Sequence, residues 1–204
     1  MKPSRPPAPE FREFLINNLR GICELSDLQV KLLESHYNSL RHWNERMNLT
    51  AIRDVESIVV RHYCESLFLG TLLPEGDLTI ADIGSGAGFP GVPLAVLRPN
   101  CRVTLVESNL RKAVFLREAT RGWANVVVEG CRAEVLESPH DLLVSRAVAP
   151  KDVLRLVPSL APALALLAGR EDESKLFKIN RIEWNEPIPL PWGERRVALF
   201  GHYI

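Results

Sequence analysis

The stretch Asp82-Ile83-Gly84-Ser85-Gly86-Ala87-Gly88-Phe89-Pro90-Gly91 decides the fold. A short apolar run from Leu78 to Ile83 precedes the glycines, and helical spacing of apolar residues begins at Gly91. Glycines between a buried strand and a helix let the backbone turn sharply and let a ligand approach where a Cβ atom would collide. The stretch therefore predicts a strand, a ligand-binding loop and a helix, which together form the opening unit of a doubly wound α/β domain.

The alternation of short apolar runs and helical segments continues to the C-terminal side of this loop. Such alternation is typical of βαβ units and a parallel sheet. A proline-containing tail from about Lys178 to Ile204 predicts two last strands paired as a hairpin, which makes a mostly parallel sheet of seven strands. The first five predicted strands are Leu78–Ile83, Arg102–Glu107, Val126–Val128, Asp141–Ser145 and Ala163–Leu167, and the predicted helices between them are Gly91–Leu97, Asn109–Gly122, Arg132–Leu136 and Lys151–Leu160.

The spacing of apolar residues before the loop is helical. It predicts helices over Glu10–Arg20, from the N-cap Ser26 to Met47, and over Val55–Leu73. Residues 1–9 contain four prolines, which disfavour a helix and predict a frayed tail. We expect a flexible tail over residues 1–9, an N-terminal helical lobe over 10–75, and a cofactor-binding domain over 76–204.

The charge balance of the chain gives no overall field that would attract nucleic acid, because 25 basic and 25 acidic residues leave a formal net charge of zero. Any contact with RNA must come from a local patch. Basic side chains do lie close together in one part of the sequence, although an ordinary solvated surface would look the same. They are Arg41, His42, Arg46, Arg53, Arg61 and His62.

The four cysteines, at positions 23, 64, 101 and 131, are scattered and form no CxxC or Cys/His pair. A structural zinc site needs four closely spaced ligands, so we expect no metal. There is no signal peptide and no apolar run of about 18 residues, so the simplest expectation is a reduced cytoplasmic protein.

The glycine spacing by itself fits either a nicotinamide dinucleotide or S-adenosylmethionine. Two neighbouring features favour S-adenosylmethionine, namely Asp82 at the end of the strand, and Pro90 with Pro93 after the loop. A dinucleotide needs free amides at the helix start to hold its diphosphate, and the two prolines remove two of them. About twenty residues further on, Glu107 ends the next strand, where a carboxylate can accept hydrogen bonds from both ribose hydroxyls. It could also be a solvated acid at a helix start.

The fourth predicted strand ends in Ser145-Arg146-Ala147. Ligands of doubly wound sheets lie beyond the carboxyl ends of the strands, so Arg146 is a candidate pocket residue, with a surface salt bridge as the alternative. No Asn/Asp-Pro-Pro-aromatic motif for amino methylation occurs there, and no strand-end cysteine offers the nucleophile that carbon methylation needs. Guanine N7 needs neither, because its lone pair can attack a sulfonium methyl directly when the two are held in line.

Several motifs together resemble those of the bacterial 16S ribosomal RNA guanine-N7 methyltransferases, also called glucose-inhibited division protein B. The likeness runs over most of the chain, and the combination is more specific than any glycine motif. It departs from the family at Glu65, where relatives usually carry aspartate, and at Ala168-Gly169-Arg170, which replaces the usual Lys-Gly. The matching residues are Tyr37, Trp43-Asn44, Asn48-Leu49-Thr50-Ala51-Ile52, Arg61-His62-Tyr63, Ser66-Leu67, the loop from Asp82 to Gly91, Arg117 and Ser145-Arg146-Ala147.

The resemblance implies a Rossmann-like class I methyltransferase that methylates N7 of one guanine in 16S rRNA, using S-adenosylmethionine and no metal. It implies cofactor contacts at Gly84 and Phe89, with Ala133 and Glu134 beside the adenine. Asp82, Gly86 and Glu107 are further expected cofactor contacts from their places in the loop and at the end of the second strand. Arg146 would line the methyl-transfer pocket next to the cofactor, as the candidate catalytic residue. Arg61 and His62 become candidate RNA contacts, and we expect a monomer whose partner is 16S rRNA or the small ribosomal subunit.

Two other classes of function stay open on the sequence. A nicotinamide-dependent oxidoreductase would bind NAD in the same loop. A non-catalytic RNA-binding or assembly factor on a methyltransferase scaffold would keep its RNA affinity after Gly84→Asp.

Overall fold

A mixed β-sheet organises the computed structural model, which describes residues 9–179, 181–193 and 195–204. Its strand order is β3-β2-β1-β4-β5-β8-β6, with β7 pairing on β8. The first five strands run parallel, and β8 lies antiparallel to β5, β6 and β7. The strands are β1 (Thr79–Ile83), β2 (Arg102–Val106), β3 (Val126–Glu129), β4 (Leu142–Arg146), β5 (Ala163–Gly169), β6 (Ile182–Trp184), β7 (Ile188–Pro189) and β8 (Arg196–Tyr203).

The strand order reverses at β1, which pairs with β2 on one side and with β4 on the other. In the register, Ile83 at the end of β1 lies opposite Val106 and Ser145. Ligands of doubly wound sheets bind in the crevice outside the carboxyl ends of the strands at such a point. The topology therefore places the glycine loop, Glu107 and Arg146 along one edge of the sheet.

Helices cover the sheet and connect its strands. Ala81 and Leu105 are fully buried within their strands, as expected for parallel strands that have helices on both faces. The helices that follow the first strand are α5 (Gly91–Leu97), α6 (Leu110–Ala119), a 3₁₀ turn (Ala133–Val135), α7 (Pro150–Leu154), α8 (Val157–Leu160) and α9 (Arg170–Leu176).

Before β1, the chain forms α1 (Pro9–Leu19), α2 (Asp27–Asn44), α3 (Val55–Ile58), a π-helical segment (Val59–Cys64) and α4 (Glu65–Leu72). The predicted N-cap is confirmed, because the Ser26 side chain accepts from the backbone of Gln29 while the Gln29 side chain accepts from the Ser26 backbone. Helix α2 packs against α5 and α6, and one continuous apolar cluster includes Leu33 and Leu40 of α2 together with Leu94 of α5. The N-terminal helices and the sheet therefore share a core. No helix in the described ranges is long and apolar enough to cross a membrane.

The structure corrects the predicted C-terminal hairpin. Two short strands, β6 and β7, pair with different parts of the eight-residue β8, so the described chain has eight strands rather than seven. The predicted helix over Lys151–Leu160 is two short helices, because the chain is interrupted before Pro158 and proline is tolerated only in the first turn. Helix α9 was not predicted, since Leu176 is its one buried residue and no apolar period marks it. The predicted tail over residues 1–9 lies outside the described residues apart from Pro9.

Candidate functional site

The loop after β1 contains three glycines in the left-handed backbone region, with φ of +70° at Gly84, +58° at Gly86 and +93° at Gly88. A Cβ atom on Gly84 would lie 2.4 Å from Val148 Cγ2, and one on Gly88 would lie 2.6 Å from Val92 Cγ2. A Cβ on Gly86 would meet nothing closer than the Gly84 carbonyl oxygen at 3.7 Å. Gly84 and Gly88 are thus required by packing, whereas the space beside Gly86 is open for a ligand.

Asp82 is fully buried at the end of β1. Its Oδ2 accepts a hydrogen bond from the Gly91 backbone N–H at 3.0 Å, and the Ser85 hydroxyl donates to the Asp82 carbonyl at 2.8 Å. Its Oδ1 has no hydrogen-bond partner among the described residues. Burial raises the pKa of Asp82 to about 7, because the charged form loses its hydration. Asp82 thus offers a free acceptor under the loop.

Glu107 closes the other side of the loop, directly after β2. Its Oε2 accepts from the Gly86 N–H at 2.9 Å, and its Oε1 accepts from the Asn109 N–H at 2.7 Å. Each carboxylate oxygen can accept more than one hydrogen bond. The side chain therefore stays held in place while both oxygens keep capacity for the two hydroxyls of a ribose.

Ala133 and Glu134 lie in the 3₁₀ turn after β3. Ala133 is half-buried and packs against the apolar cluster that contains Ile83 and Val106 at the ends of β1 and β2, whereas Glu134 is exposed. The structure thus brings Ala133 to the predicted side of the crevice. The predicted adenine contact of this pair stays a prediction.

Arg146, at the end of β4, joins the sheet edge to the π-helical segment. Its side chain is 12% exposed, and its two terminal nitrogens donate to the Arg61 carbonyl and to His62 Nδ1. A third partner is Glu65, whose Oε2 lies 3.8 Å from the guanidinium. Burial lowers the pKa of Arg146 to about 10, opposed by the negative charge of Glu65, so the guanidinium stays charged at neutral pH.

His62 lies beneath this arginine and is 6% exposed. Its ring stacks on Phe89 with the centroids 4.7 Å apart, and its Nε2 lies 2.8 Å from the Thr50 hydroxyl. Because a guanidinium can only donate, His62 Nδ1 accepts from Arg146 and Nε2 carries the proton. Burial, followed by the charge of Arg146, lowers the pKa of His62 to about 3.

The predicted RNA contacts at positions 61 and 62 therefore separate in the structure. The buried, neutral His62 contacts Arg146 and Phe89 and presents almost no side-chain surface, so its RNA contact stays a prediction that the burial of the ring does not support. Arg61 is exposed and stays a candidate RNA contact. The ring of Phe89 is also buried, edge-on to Tyr63 at 5.0 Å, so it shapes the loop from inside.

A cleft of about 180 Å³ opens where β4 and β5 end, and Arg146 lines it. Arg196 of β8 lines the same cleft and lies 3.1 Å from Glu65 Oε2. Sequence reasoning missed Arg196, since no motif connects it to a carboxylate 131 positions earlier. It noted Glu65 only as a departure from related sequences. Burial raises the pKa of Glu65, and the two arginines oppose that shift.

Within the part of the chain that the structure describes, no group of three or more His, Cys, Asp or Glu side chains is arranged to hold a metal ion. The cysteines at positions 23, 64, 101 and 131 are free thiols.

Comparison with known proteins gives one consistent family. Residues 29–160 match the family model described as rRNA small subunit methyltransferase G. The chain is 42% identical over 204 residues to the ribosomal RNA small subunit methyltransferase G of Xanthomonas campestris pv. campestris, with 94% of this chain and 95% of that protein covered. It is 44% identical over 158 residues to the protein of the same name from Halorhodospira halophila, with 71% of this chain and 74% of that protein covered.

Solved structures show the same fold at low sequence identity. An S-adenosylmethionine-dependent methyltransferase from Aquifex aeolicus superposes with a TM-score of 0.58 at 17% identity, covering 72% of this chain and 93% of that one. A fibrillarin from Aeropyrum pernix with natively bound S-adenosylmethionine gives a TM-score of 0.55 at 16% identity, covering 68% of this chain and 73% of that one.

Proposed function

The chain belongs to the rRNA small subunit methyltransferase G family, and we propose that it methylates N7 of a 16S rRNA guanine at the crevice where β1 and β4 end. It is an S-adenosylmethionine-dependent methyltransferase of small-subunit rRNA with a Rossmann-like fold. Membership of this family excludes the alternative that the chain is a nicotinamide-dependent oxidoreductase. The assignment of the cofactor to this loop rests on two features that lie together. Asp82 Oδ1 is buried without a hydrogen-bond partner among the described residues, and the space beside Gly86 is open.

These two features fit the cofactor. S-adenosylmethionine would supply a methyl group on a cationic sulfonium, and the positive charge of the bound cofactor would favour the ionised form of the buried Asp82 carboxyl. The carboxylate of Glu107 would accept hydrogen bonds from the ribose hydroxyls, and the open space beside Gly86 would allow close approach of the nucleoside. Asp82 would lie toward the amino-acid end of the cofactor, and Ala133 with Glu134 would flank the adenine.

The acceptor base enters from the side of Arg146. Guanine presents O6 and N7 as neighbouring acceptors on one edge. The guanidinium of Arg146 would donate to O6 and leave the N7 lone pair unobstructed. The bound cofactor would supply the methyl group, whose bond to sulfur breaks as its bond to N7 forms, so that S-adenosylhomocysteine leaves. No side chain needs to remove a proton from N7, so the protein contributes orientation, charge and exclusion of water.

The contacts to Arg61 and Glu65 hold this guanidinium in one position before the base arrives. Preorganised charge stabilises a transition state without the cost of reorienting dipoles at the moment of reaction. The exposed Arg61 is the proposed phosphate contact beside the crevice. The proposed partner is the small ribosomal subunit or its 16S rRNA, bound by a monomer in the cytoplasm.

A direct test incubates the protein with methyl-labelled S-adenosylmethionine and small ribosomal subunits that lack the modification. We expect about one labelled methyl group per subunit, recovered as 7-methylguanosine after digestion of the 16S rRNA. Fully modified subunits serve as the matched control and should accept none. Label at another atom, or in another RNA, would contradict the assignment of guanine N7.

A parallel assay with naked 16S rRNA identifies the form of the substrate. Gly84→Asp addresses the remaining non-catalytic alternative, because the new side chain meets both a positive φ and Val148. We expect this variant to lose methyl transfer. Retained cellular function of such an inactive variant would favour a role in binding or assembly.

A further inference from the structure

We propose that His36, on the N-terminal helix α2, is a positioning residue that holds the cofactor loop in its binding conformation. The proposal rests on the function proposed above, since it assigns the loop to S-adenosylmethionine. His36 has no measurable exposed surface, and neither the glycine motif nor the cleft includes it. It acts through the loop backbone and does not touch the reacting atoms.

The hydrogen bonds of His36 fix its tautomer. Its Nε2 lies 3.0 Å from the Ala87 carbonyl oxygen, and its Nδ1 lies 2.7 Å from the Tyr63 hydroxyl. A carbonyl can only accept, so Nε2 carries the proton and donates to Ala87. The remaining nitrogen, Nδ1, therefore accepts from the Tyr63 hydroxyl. Burial lowers the pKa of His36 to about 4, which keeps the ring neutral and this arrangement intact at physiological pH.

The peptide group between Ala87 and Gly88 is clamped at both ends by these contacts. Its carbonyl accepts from His36, while its N–H, on Gly88, donates to the Ser85 carbonyl at 2.7 Å. Rotation of this peptide group changes ψ of Ala87 and φ of Gly88, and Gly88, with a φ of +93°, resists that rotation less than a residue with a Cβ would. A donor from outside the loop supplies the missing constraint.

The clamp controls the ligand-facing part of the loop because Gly86 is adjacent to Ala87. The Gly86 N–H binds Glu107, and the open space for the nucleoside lies beside Gly86. His36 also restricts the far side of the turn, since a Cβ on Gly88 would lie 3.1 Å from its Nε2. Loss of the Nε2 donor would leave a buried carbonyl without its partner, which favours rotation of the peptide group toward another donor.

The test uses the full-length protein and two variants that remove different halves of the clamp. His36→Leu removes both hydrogen bonds and keeps an apolar side chain in the core. Tyr63→Phe removes only the hydroxyl, so that Nδ1 of His36 loses its hydrogen bond while Nε2 still donates to Ala87. We expect the Kd for S-adenosylmethionine, measured by calorimetry, to rise about tenfold in His36→Leu and to rise less in Tyr63→Phe.

A conservative variant and a matched control separate positioning from general stability. In His36→Gln the amide nitrogen reaches a place close to that of Nε2, so we expect it to recover most of the native affinity. Leu33→Ala removes another fully buried side chain of the same helix, away from these hydrogen bonds. It should lower the Tm and leave the Kd for S-adenosylmethionine unchanged at temperatures well below that Tm.

An unchanged Kd in folded His36→Leu would overturn the proposal. If that variant does not fold, an unchanged Kd in Tyr63→Phe does so instead. A Kd that rises equally in Leu33→Ala and His36→Leu would also overturn it, because the effect would then follow stability. A native protein that binds no S-adenosylmethionine is a separate result and contradicts the proposed function itself.

Discussion

At the scale of single residues, Asp82 connects the glycine loop to the helix after it. Its Oδ2 accepts the N–H of Gly91, the first residue of α5, and its Oδ1 has no partner among the described residues. Burial raises its pKa to about 7. The folded protein therefore holds a proton on this carboxyl at pH values where an unfolded chain does not.

The pH dependence of stability follows from this shift. The pKa of Asp82 in the folded protein lies above its unfolded value of 3.8. The contribution of this carboxyl to the free energy of unfolding is therefore fully present below pH about 4 and is lost as the pH rises through about 7. Asp82→Asn keeps a side-chain oxygen for Gly91 and cannot ionise. We expect the variant to gain stability relative to the native protein as the pH is raised from 4 to 8, measured by urea unfolding at several pH values.

The difference in free energy of unfolding between the native protein and Asp82→Asn separates the effect of Asp82 from that of the buried histidines. His36 and His62 have lowered pKa values, so their contribution is present above pH about 6.5 and is lost as the pH falls toward 4 and 3. Both proteins share that loss. A stability difference between native and Asp82→Asn that is constant over the whole range would contradict the raised pKa.

Arg146 carries the second prediction at this scale. We expect Arg146→Ala to lower the rate of methyl transfer at least about tenfold, which is about 1.4 kcal/mol of transition-state stabilisation. The reason is that the guanidinium lines the cleft and is held there by Arg61 and Glu65. Single-turnover transfer to the small subunit is the measurement.

Arg155→Ala provides the control, because Arg155 is an exposed arginine that forms an ion pair with Asp152, three residues before it. Its removal should leave the rate near the native value. Equal rates in native protein and Arg146→Ala would show that Arg146 serves only to join the sheet to the π-helical segment.

At the scale of secondary-structure elements, the helical stretch over residues 55–72 contains a π-helical segment at Val59–Cys64. Such segments often occur at functional sites. This one presents the Arg61 carbonyl and His62 to Arg146 and places Glu65 beside both Arg146 and Arg196. The apolar spacing predicts the helical stretch, but not its change of hydrogen-bond pattern, because the extra residue in the turn leaves the average period almost unchanged.

The start of α5 carries the prediction at this scale. A Cβ on Gly91 would lie 2.3 Å from Leu105 Cδ2 and 2.6 Å from Asp82 Oδ2, so alanine there forces strand and helix apart. We expect Gly91→Ala to cost about 1–3 kcal/mol of unfolding free energy, as overpacking usually does, despite the better helix propensity of alanine. Urea unfolding measures the cost.

Gly21→Ala is the comparison. It has a φ of +77° but no atom within 4 Å of the added Cβ, so strain of about 1 kcal/mol is its expected cost. A smaller loss in Gly91→Ala than in Gly21→Ala would show that the strand and helix can separate without penalty.

At the scale of the whole molecule, the N-terminal helices complete the core of the sheet. Trp43 lies 5.9 Å from the ring of Phe115 on α6, and Leu33 and Leu40 belong to the same apolar cluster as Leu94. Removal of these helices would expose to water the apolar side chains of α5 and α6 that they cover. Such exposure costs about 25 cal/mol per Å² of apolar surface.

We therefore expect a fragment of residues 76–204 to aggregate or to lack a cooperative thermal transition, followed by circular dichroism and size-exclusion chromatography. The full chain is the control and should unfold cooperatively. A fragment that stays monomeric and unfolds in one transition would support an independent domain over these residues and contradict the shared core.

Local sequence patterns determined a large part of this molecule. The glycine loop between an apolar run and a helical period predicted the first βα unit, and Gly91–Leu97 is helical as predicted. The N-cap at Ser26 and five parallel strands also followed from spacing, because propensity and periodicity act over a few residues. The strand order then placed Glu107 and Arg146 at the edge of the sheet that holds the loop.

Only the tertiary structure decided which distant groups meet at that edge. Glu65 and Arg196 are paired across 131 positions, His36 reaches Ala87 across 51, and His62 is turned inward onto Phe89. The basic sequence around Arg61 and His62 looked the same whether its side chains were buried or solvated. Burial and hydrogen-bond pairing depend on the packing of the N-terminal helices against the sheet, and no short-range pattern encodes that packing. The sequence thus determined the fold and the place of the site, and the tertiary structure decided which side chains hold the site in shape.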